Sequence, residues 1–502
     1  MCAQSIWKIK SSSQQYACLE HNIETEVAII GGGITGISTA MLLHKHGVKV
    51  VVLEARKVGQ GTTGNSTGNL YMLTEHSLSD LEKKYDIPTI RKVIEARIKA
   101  MHFIRENIQQ YQIDCDYSER SMYIFENDES IDIAKEQELA AKIGLNFAPM
   151  EPEDFPLPFK KGIEFKNQAQ INPLTYVQHL AKELYNSGCQ IFEDSRVLEI
   201  DDKKDYVILK TDRAQIRAKR VIHATHTPIG LQLQYHTALG PYREYGVSFK
   251  IKNNNYPKGI FWGRYNDKKY SLRSYETETD TYLICVGGMH KVGQAGNNLS
   301  YIQDLEDFIT QHFDVEEIVH RWGGQNYKPA DLLPYIGEKE SGSREYVATG
   351  YSTDGLVYGS LAAMILSDEI IGKKNMFWNF FKASRHQPVK AAKNFTKENL
   401  NMAAKLIGDF LKSGEKLDIR DLSPDEGKIV SHKGGKVAIY KNAEGQVSFL
   451  SPICPHFGCT VHWNNLEKTW DCPCHGSRFD TQGRVIEGPA LGGLKGKNRK
   501  TD

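Results

Sequence analysis

A glycine-rich turn between a short strand and a helix is the feature that most restricts how this chain can fold. Residues 26–30 are an apolar, β-branched run typical of a buried strand, and the sequence Gly-Gly-Gly-Ile-Thr-Gly follows at 31–36. A helix pattern then ends at Gly47, and a second strand pattern ends at Glu54. This order predicts a β–loop–α–β unit of the dinucleotide-binding type.

Each position of the motif has a physical role. Gly31 permits a tight turn, Gly33 leaves room for a pyrophosphate beside the backbone, and Gly36 lets the helix pack closely on the strand. The helix N-terminus offers free N–H groups and a positive dipole to phosphates, and Glu54 could accept hydrogen bonds from a ribose hydroxyl. The motif alone does not distinguish NAD from FAD, and a glycine-rich turn without a ligand is the alternative.

Length and composition restrict the rest of the chain. A length of 502 residues predicts two or three domains, because a single hydrophobic core seldom organises so long a chain. The net charge is only +1, from 63 basic and 62 acidic residues, so we expect no nucleic-acid partner. No apolar run could span a bilayer, and the N-terminal residues lack the apolar segment of a signal peptide, which predicts a cytoplasmic location without a transmembrane segment.

Later segments indicate which dinucleotide is bound. A loop rich in glycines and hydroxyls contains Gly61 and Thr62. Residues 346–350 form a strand pattern that enters a loop before a helix near Gly355. Through these segments, residues 25–375 resemble the D-amino-acid oxidase and glycine oxidase superfamily of FAD enzymes.

The resemblance implies an α/β, Rossmann-like FAD-binding domain with an inserted α+β substrate domain at about residues 76–164 and 240–325. In this superfamily, the strand ending near Val197 lies by the adenine, and the late helix points its N-terminus at the flavin ring. The implied FAD-binding residues are Gly31, Gly33, Gly36, Glu54, Gly61, Thr62, Val197, Gly350, Gly355 and Leu356.

Several positions differ from those that members of the superfamily use for special contacts. Gln325 stands where a linking cysteine would be, and Ser66 and Thr67 occupy the region of a linking histidine, so we expect non-covalent FAD. Asn326 and Tyr327 replace an arginine of many amino-acid oxidases, which argues against a carboxylate clamp there. The candidate substrate contacts, each with an ordinary structural role as its alternative, are Arg243, Tyr245, Tyr270 and Arg273.

Cysteine and histidine cluster near the C-terminus. Of nine cysteines, four fall between positions 454 and 474, and Cys454-Pro-His456 is followed after fifteen residues by Cys472-Pro-Cys474-His475. Two thiolates and two imidazoles on two loops could bind zinc, or could hold a [2Fe–2S] cluster as Rieske centres do. The short C-x-H spacing is unusual for zinc fingers, and the alternating pattern before it predicts an all-β domain.

Residues 420–495 resemble Rieske domains, and among them the cytochrome bc type that carries a second pair of cysteines. The resemblance implies that Cys454 and Cys472 bind one iron of a [2Fe–2S] cluster. It implies equally that His456 and His475 bind the other iron.

The same resemblance assigns roles to residues around the ligands. It implies a disulfide between Cys459 and Cys474 that links the two ligand loops. Ser477 would donate a hydrogen bond to a cluster sulfide, and Phe479 stands where high-potential members have a tyrosine. The sequence Gly-Pro-Ala at 488–490 provides a third loop that could cover the cluster.

Together these patterns predict an arm at 1–24, an FAD-dependent oxidoreductase domain at 25–375, a linker with a helix at 376–418 and a Rieske domain at 419–502. The linker mixes aromatic and basic residues, so it could contact a membrane surface or pack on the FAD domain, and the absence of a sustained helical moment in its aromatic–basic stretch favours packing. The whole chain resembles the YhfW-type bacterial proteins, which join the same two domains.

The two cofactors together suggest a reaction. Flavin takes up a hydride, whereas a Rieske cluster carries one electron at a time. We therefore expect oxidation of an amine or amino acid at its C–N bond, with electrons passed to an unknown one-electron acceptor. Two alternatives remain open: a reductase in which electrons run from the cluster to the flavin, and a redox-sensing or binding protein without turnover.

Overall fold

The computed structural model describes residues 4–10, 14–127, 131–230, 232–385, 422–432 and 435–496. The amphipathic helix expected in the linker falls outside these residues. The described helices are α1 (Ile34–Lys45), α2 (Leu78–Glu82), α3 (Ile87–Gln110), α4 (Ile133–Ile143), α5 (Pro173–Asn186), α6 (Leu233–His236), α7 (Leu299–His312), α8 (Gly355–Ile370) and α9 (Trp378–Phe381).

The strands form four sheets. In chain order they are β1 (Ile23–Ile30), β2 (Val50–Leu53), β3 (Asn69–Leu70), β4 (Ser118–Glu126), β5 (Ala148–Pro149), β6 (Lys161–Gln170), β7 (Gln190–Phe192), β8 (Glu199–Asp202), β9 (Val207–Lys210), β10 (Gln215–His223), β11 (Leu239–Ile251), β12 (Gly259–Tyr265), β13 (Lys268–Glu276), β14 (Thr281–Lys291), β15 (Val315–Pro329), β16 (Tyr335–Glu338), β17 (Glu345–Thr349), β18 (Glu426–His432), β19 (Gly435–Lys441), β20 (Val447–Leu450), β21 (His462–Asn464), β22 (Thr469–Asp471), β23 (Arg478–Phe479) and β24 (Val485–Glu487).

The first sheet is the predicted dinucleotide-binding sheet. Its strand order is β16-β17-β10-β1-β2-β7, with β8 and β9 beside β10. Strands β10, β1, β2 and β7 run parallel, as the β–α–β pattern requires. Alternate residues of β1 enter two apolar clusters, because Val27 and Ile29 pack with α1 and α8 whereas Ala28 and Ile30 pack with β9 and β10.

The turn after β1 depends on two of its glycines. Gly31 has φ +111°, in the left-handed region that favours glycine, and a Cβ there would overlap the carbonyl oxygen of Ala224. Gly36 lies in the first turn of α1, where a Cβ would overlap the carbonyl oxygen of Gly31. The helix can therefore start directly against the strand end.

The second sheet belongs to an inserted domain. Its strand order is β15-β11-β14-β13-β12-β4-β6-β3, with β5 beside β6. Its strands come from residues 69–170 and 239–329, and the segments between and around them build the first sheet. Aromatic residues fill one side of this sheet, where Phe155 stacks on Phe261 with ring centroids 4.4 Å apart. The predicted α/β domain with an α+β insertion is confirmed.

The C-terminal residues form two small antiparallel sheets, β18-β19-β20 and β21-β22-β23-β24. The buried side chains of Trp470 and Phe479 pack there with the clustered cysteines. This confirms the predicted all-β domain. In the part of the chain that the structure describes, no helix is long and apolar enough to cross a bilayer.

Candidate active site and iron–sulfur centre

A cavity lies at the carboxyl ends of β1 and β2, where the glycine turn leads into α1. Its walls include loops of the first sheet, parts of β11 and β15, and residues 486–488 of the C-terminal domain. Glu54 follows β2 and Gly355 follows the loop after β17, and these strands are separated by β1 and β10. The two residues therefore mark opposite ends of the cavity.

Most of the predicted FAD-binding residues line this cavity: Gly31, Gly33, Glu54, Gly61, Thr62, Val197, Gly355 and Leu356. Gly36 and Gly350 do not line it. Gly36 permits close packing of the helix, and Gly350 has φ +78° with the side chains of Leu239 and Pro329 against it. The strand expected to end near Val197 ends instead at Phe192, and Val197 lies in the loop before β8.

The strand ends before Val197 because the Glu193 side chain bonds to the neighbouring turn at residues 57–58. The Glu193 carboxylate accepts a hydrogen bond from the backbone N–H of Val58 at 2.8 Å and pairs with Lys57 at 3.0 Å. Asp194 then adopts a positive φ of 49°. These side-chain contacts have no signature in the strand pattern of the sequence.

Unpartnered polar atoms along the wall suit a large polar ligand. Among the described residues, the buried Oγ of Ser66, Oγ1 of Thr227, Oε1 of Gln325 and Oδ1 of Asn326 have no hydrogen-bond partner. Buried polar groups are usually satisfied, so these atoms point to a ligand that supplies partners. The glycine turn, the helix N-terminus and the Glu54 carboxylate, already bound to the N–H groups of Gly32 and Arg56, fit FAD.

Two of the four candidate substrate contacts face the C-terminal domain. Arg243 forms a two-point ion pair with Glu467 and lies 3.9 Å from Glu487. Tyr245 borders the cavity, but its hydroxyl accepts hydrogen bonds from Asn298 at 3.2 Å and Asn464 at 3.4 Å. Both side chains are therefore engaged in the domain interface.

The other two candidates lie elsewhere in the inserted domain. Tyr270 stacks on Phe308 with ring centroids 3.9 Å apart, inside the aromatic cluster of the second sheet. Arg273 donates to the carbonyl of Thr67 and to Asn69 Oδ1 at 3.1 Å, so it positions the loop that borders the cavity. Burial lowers the pKa of Arg273 to about 9.

Sequence reasoning missed two titratable residues of the cavity. His226 packs edge-on against Tyr327 with ring centroids 4.7 Å apart, and burial lowers its pKa to about 4. Glu244 projects into the cavity from β11, and burial raises its pKa to about 7. The sequence does place Glu244 as a charged residue between aromatic residues in a strand pattern, which was the available signal. Its position in the cavity, however, depends on the pairing of β11 with β15.

The clustered cysteines and histidines lie close together, with the ring centroids of His456 and His475 4.9 Å apart. Cys454 and Cys472 are buried free thiols, and the interaction with Cys472 lowers the pKa of Cys454. The Nδ1 atoms of His456 and His475 are buried without partners among the described residues. Two unpartnered imidazole nitrogens beside two thiols fit a [2Fe–2S] cluster of the Rieske type.

The disulfide and the third loop adopt the implied arrangement. Cys459 and Cys474 form a disulfide. The Ser477 hydroxyl oxygen accepts a hydrogen bond from the backbone N–H of Ala490 at 3.0 Å, so the third loop closes over the second ligand loop. In addition, the Pro489 carbonyl accepts a hydrogen bond from the Gly230 N–H at 3.1 Å, so this loop also binds the FAD domain.

Two residues of β15 connect the cavity wall to the second ligand loop. Gln325 and Tyr327 both line the cavity. Gln325 Nε2 donates to the Gly476 carbonyl at 2.8 Å, and the Tyr327 hydroxyl donates to the His475 carbonyl at 3.1 Å. The cavity and the cluster loops therefore share a wall.

The imidazole edge of the cluster site faces the FAD domain. The His475 side chain is buried, with its ring centroid 5.4 Å from that of His236, and His456 Nε2 donates to the Gly230 carbonyl at 3.2 Å. Phe457 is 42% exposed and its ring centroid lies 5.7 Å from that of His475. One side of the ligand loops is thus covered, and the Phe457 side is open to solvent.

An ion-pair network fixes this docked arrangement. Arg478 lies 3.1 Å from Glu467, which also pairs with Arg243, and Gly323 leaves room for the pair because a side chain there would meet Arg243. Burial alone would raise the pKa of Glu467, but Arg243 and Arg478 lower it to about 2. The charged side chains of this interface are therefore buried and paired with one another.

A parallel sheet with a dinucleotide cavity, joined to a Cys₂His₂ centre with a linking disulfide, defines an oxidoreductase with a flavin and an iron–sulfur cluster. Residues 26–369 match the FAD dependent oxidoreductase family (DAO), and residues 415–496 match the Rieske [2Fe-2S] domain. The chain belongs to the FAD dependent oxidoreductase family and carries a C-terminal Rieske domain. The predictions of FAD and a Rieske cluster as cofactors are confirmed.

Similar proteins have the same organisation in whole or in part. The chain is 30% identical over 499 residues to the putative Rieske 2Fe-2S iron-sulfur protein YhfW of Bacillus subtilis, covering 98% of this chain and 97% of that one. It is 25% identical over 383 residues to gamma-glutamylputrescine oxidoreductase of Escherichia coli, covering 73% and 89%. Glycine oxidase from Geobacillus kaustophilus has a similar fold, with a TM-score of 0.58 and 18% identity over 72% of this chain and 99% of that one.

Proposed function

We propose that the chain oxidises the C–N bond of an amine or amino acid in the cavity and passes the electrons through the Rieske cluster to a one-electron acceptor. The contact that carries this proposal is made by Tyr327, which lines the cavity and hydrogen-bonds to the backbone of His475. Tyr327 thus reaches from the cavity wall to the backbone of the cluster loop, which favours electron transfer inside one chain.

Individual residues of the cavity and of the ligand loops are assigned to parts of the two cofactors. We assign the pyrophosphate to the turn at Gly31 and Gly33, and the ribose to Glu54. We assign the cluster to the thiolates of Cys454 and Cys472 and the imidazoles of His456 and His475. The domain limits and the cytoplasmic location given above stay predictions.

The proposed reaction balances with two equivalents of acceptor. When bound, FAD takes two electrons and a hydrogen from the substrate carbon, and the cluster passes electrons singly. The amine nitrogen loses a proton, and the imine product reacts with water to give a carbonyl compound and an amine or ammonia. Around this chemistry the chain positions the Thr67 loop, which borders the cavity, through Arg273.

Anaerobic flavin reduction tests the proposal. The purified full chain is mixed with a panel of amines and amino acids, and the visible flavin absorbance is followed before cytochrome c is added as a one-electron acceptor. We expect at least one amine to bleach the flavin and then to reduce two equivalents of cytochrome c. If no amine bleaches the flavin and a prereduced cluster reduces it instead, electrons run in the opposite direction and the proposal is wrong.

A further inference from the structure

The Glu244 carboxylate is a charged group that the protein leaves without a partner. It projects from β11 opposite Gly324 of β15 and lines the cavity. Among the residues that the structure describes, it forms no hydrogen bond and no ion pair. A carboxylate in this position is costly unless a ligand supplies its partner.

The neighbouring charged groups already have partners of their own. Glu75 pairs with Lys328, and Lys269 contacts the Glu75 carbonyl at 3.5 Å and the ring of Trp262 at 4.9 Å. Asp354, the other nearby carboxylate, pairs with Arg97 at 3.3 Å and accepts a hydrogen bond from the Tyr71 hydroxyl at 2.7 Å. Glu244 is therefore the carboxylate of this group that remains available to a ligand.

The guanidinium groups of the cavity lie at the opposite end from Gly355. Arg56 and Arg196 line the wall beside Glu54, where the Arg56 N–H donates to the Glu54 carboxylate at 2.8 Å. Glu244 instead follows Arg243 on β11, in the second sheet that covers the cavity from the inserted domain. A substrate carboxylate placed near Glu244 would meet like charge, whereas an ammonium would meet its complement.

We propose that Glu244 binds an ammonium group of the substrate, so that the cavity selects cationic amines that carry no carboxylate at the reacting carbon. This inference rests on the proposed function and specifies its substrate class. The ionic bond forms when a cation enters the cavity, and a hydrogen bond to a charged group corresponds to about a tenfold or larger change in affinity.

Ligand titrations of the FAD-loaded full chain test this assignment without requiring turnover. Putrescine, γ-aminobutyrate and succinate have similar length and differ in charge, and each is titrated anaerobically while the flavin spectrum is recorded. We expect putrescine to bind at least about tenfold more tightly than succinate. We also expect putrescine affinity to fall between about pH 8.5 and about pH 5.5, since burial raises the pKa of Glu244 to about 7 and the carboxyl becomes protonated over that interval.

Variants connect the selectivity to this residue. Glu244→Gln should lose about tenfold or more in putrescine affinity together with its pH dependence, while Glu278→Gln, an exposed carboxylate in the turn after β13, should behave as wild type. Equal affinity for succinate, no putrescine binding, or a Glu244→Gln dissociation constant unchanged from wild type would each overturn the inference. If the Glu244→Gln variant fails to fold, the comparison of putrescine with succinate binding to the wild-type chain still tests the inference.

The same experiment separates this inference from the proposed function. Amines that bleach the flavin equally in wild type and Glu244→Gln would overturn the role of Glu244 and leave amine oxidation standing. Tight, Glu244-dependent binding of putrescine without bleaching by any amine would support the site and contradict the proposed reaction.

Discussion

The Tyr327 hydroxyl donates a hydrogen bond to the backbone carbonyl of His475 at 3.1 Å, across the boundary between the FAD domain and the Rieske domain. The same hydroxyl accepts a hydrogen bond from Gln325 at 3.0 Å, and both side chains line the cavity. Because His475 is assigned as an iron ligand, the cavity wall holds the backbone of the cluster site directly.

The first prediction concerns the attachment of FAD. Gln325 is bound to Gly476 and Ser66 offers only a hydroxyl, so neither provides the thiol sulfur or imidazole nitrogen that links cysteine or histidine to the flavin in other members. Acid precipitation of the purified protein should release all its FAD into the supernatant. Flavin fluorescence that stays with the pellet would contradict the reading of these two positions.

The second prediction uncouples the cofactors. His475→Ala should abolish the Rieske spectrum, because one imidazole ligand is lost, while FAD binding persists in its own domain. A substrate should still bleach the flavin in a single turnover, and transfer to cytochrome c should fall by about two orders of magnitude or more. Stopped-flow absorbance and steady-state assays measure the two steps separately.

The matched control for this variant is His102→Ala, which removes an exposed imidazole from α3. It should retain both spectra and full activity. If His475→Ala reduces cytochrome c as fast as wild type, the cluster does not lie on the electron route, and the Rieske domain serves assembly or regulation.

The third prediction concerns the cluster potential. Hydrogen bonds to cluster sulfurs raise Rieske potentials, and Phe479 packs among the clustered cysteines without a hydroxyl. Phe479→Tyr should raise the midpoint potential, measured by redox titration with electron paramagnetic resonance. Tyr440→Phe removes a hydroxyl that binds Asp425 and should leave the potential unchanged. An unshifted potential, with the new hydroxyl shown to reach a cysteine sulfur, would contradict this account.

The fourth prediction tests the ion pair between the domains. Glu467→Gln leaves Arg243 buried without its partner, and loss of one member of a buried pair costs about 3 kcal/mol or more. We expect a lower Tm at neutral pH and weaker attachment of the Rieske domain. Arg213→Ala, which breaks an exposed pair with Glu20, should change the free energy of unfolding by less than about 1 kcal/mol.

The difference in Tm between wild type and Glu467→Gln should become smaller at acid pH. The pKa of Glu467 is lowered to about 2 in the folded chain, so its contribution is fully present above the unfolded value near about 4.3 and is lost as the pH falls towards 2. The gap in Tm between wild type and Glu467→Gln should therefore narrow below about pH 4.5. A gap that stays constant down to pH 3 would show that the pair does not stabilise the fold.

The sequence predicted the parts of the sites whose geometry is local. The turn at Gly31 follows from steric limits on adjacent residues, and the two ligand loops follow from the spacing of Cys454, His456, Cys472 and His475. These features depend on residues close in the chain, so their pattern carries most of the information.

The parts that could not be predicted depend on distant pairing. Arg243 and Glu467 are 224 positions apart, and the domain interface between them removes Arg243 from the list of free substrate contacts. The Glu244 side chain reaches the cavity only because β11 pairs with β15. Residues 486–488 line the FAD cavity because the third loop is docked, which the resemblance to separate Rieske domains does not imply.

The docking of His475 against the FAD domain has a kinetic consequence. The cavity lies on one side of the ligand loops, and the solvent-exposed ring of Phe457 lies on the other. An acceptor that takes electrons at Phe457 does not compete with the substrate for space, so both can be bound at once. The oxidised product should then inhibit in competition with the amine and not with the acceptor, whereas in an enzyme with one shared site it would compete with the acceptor.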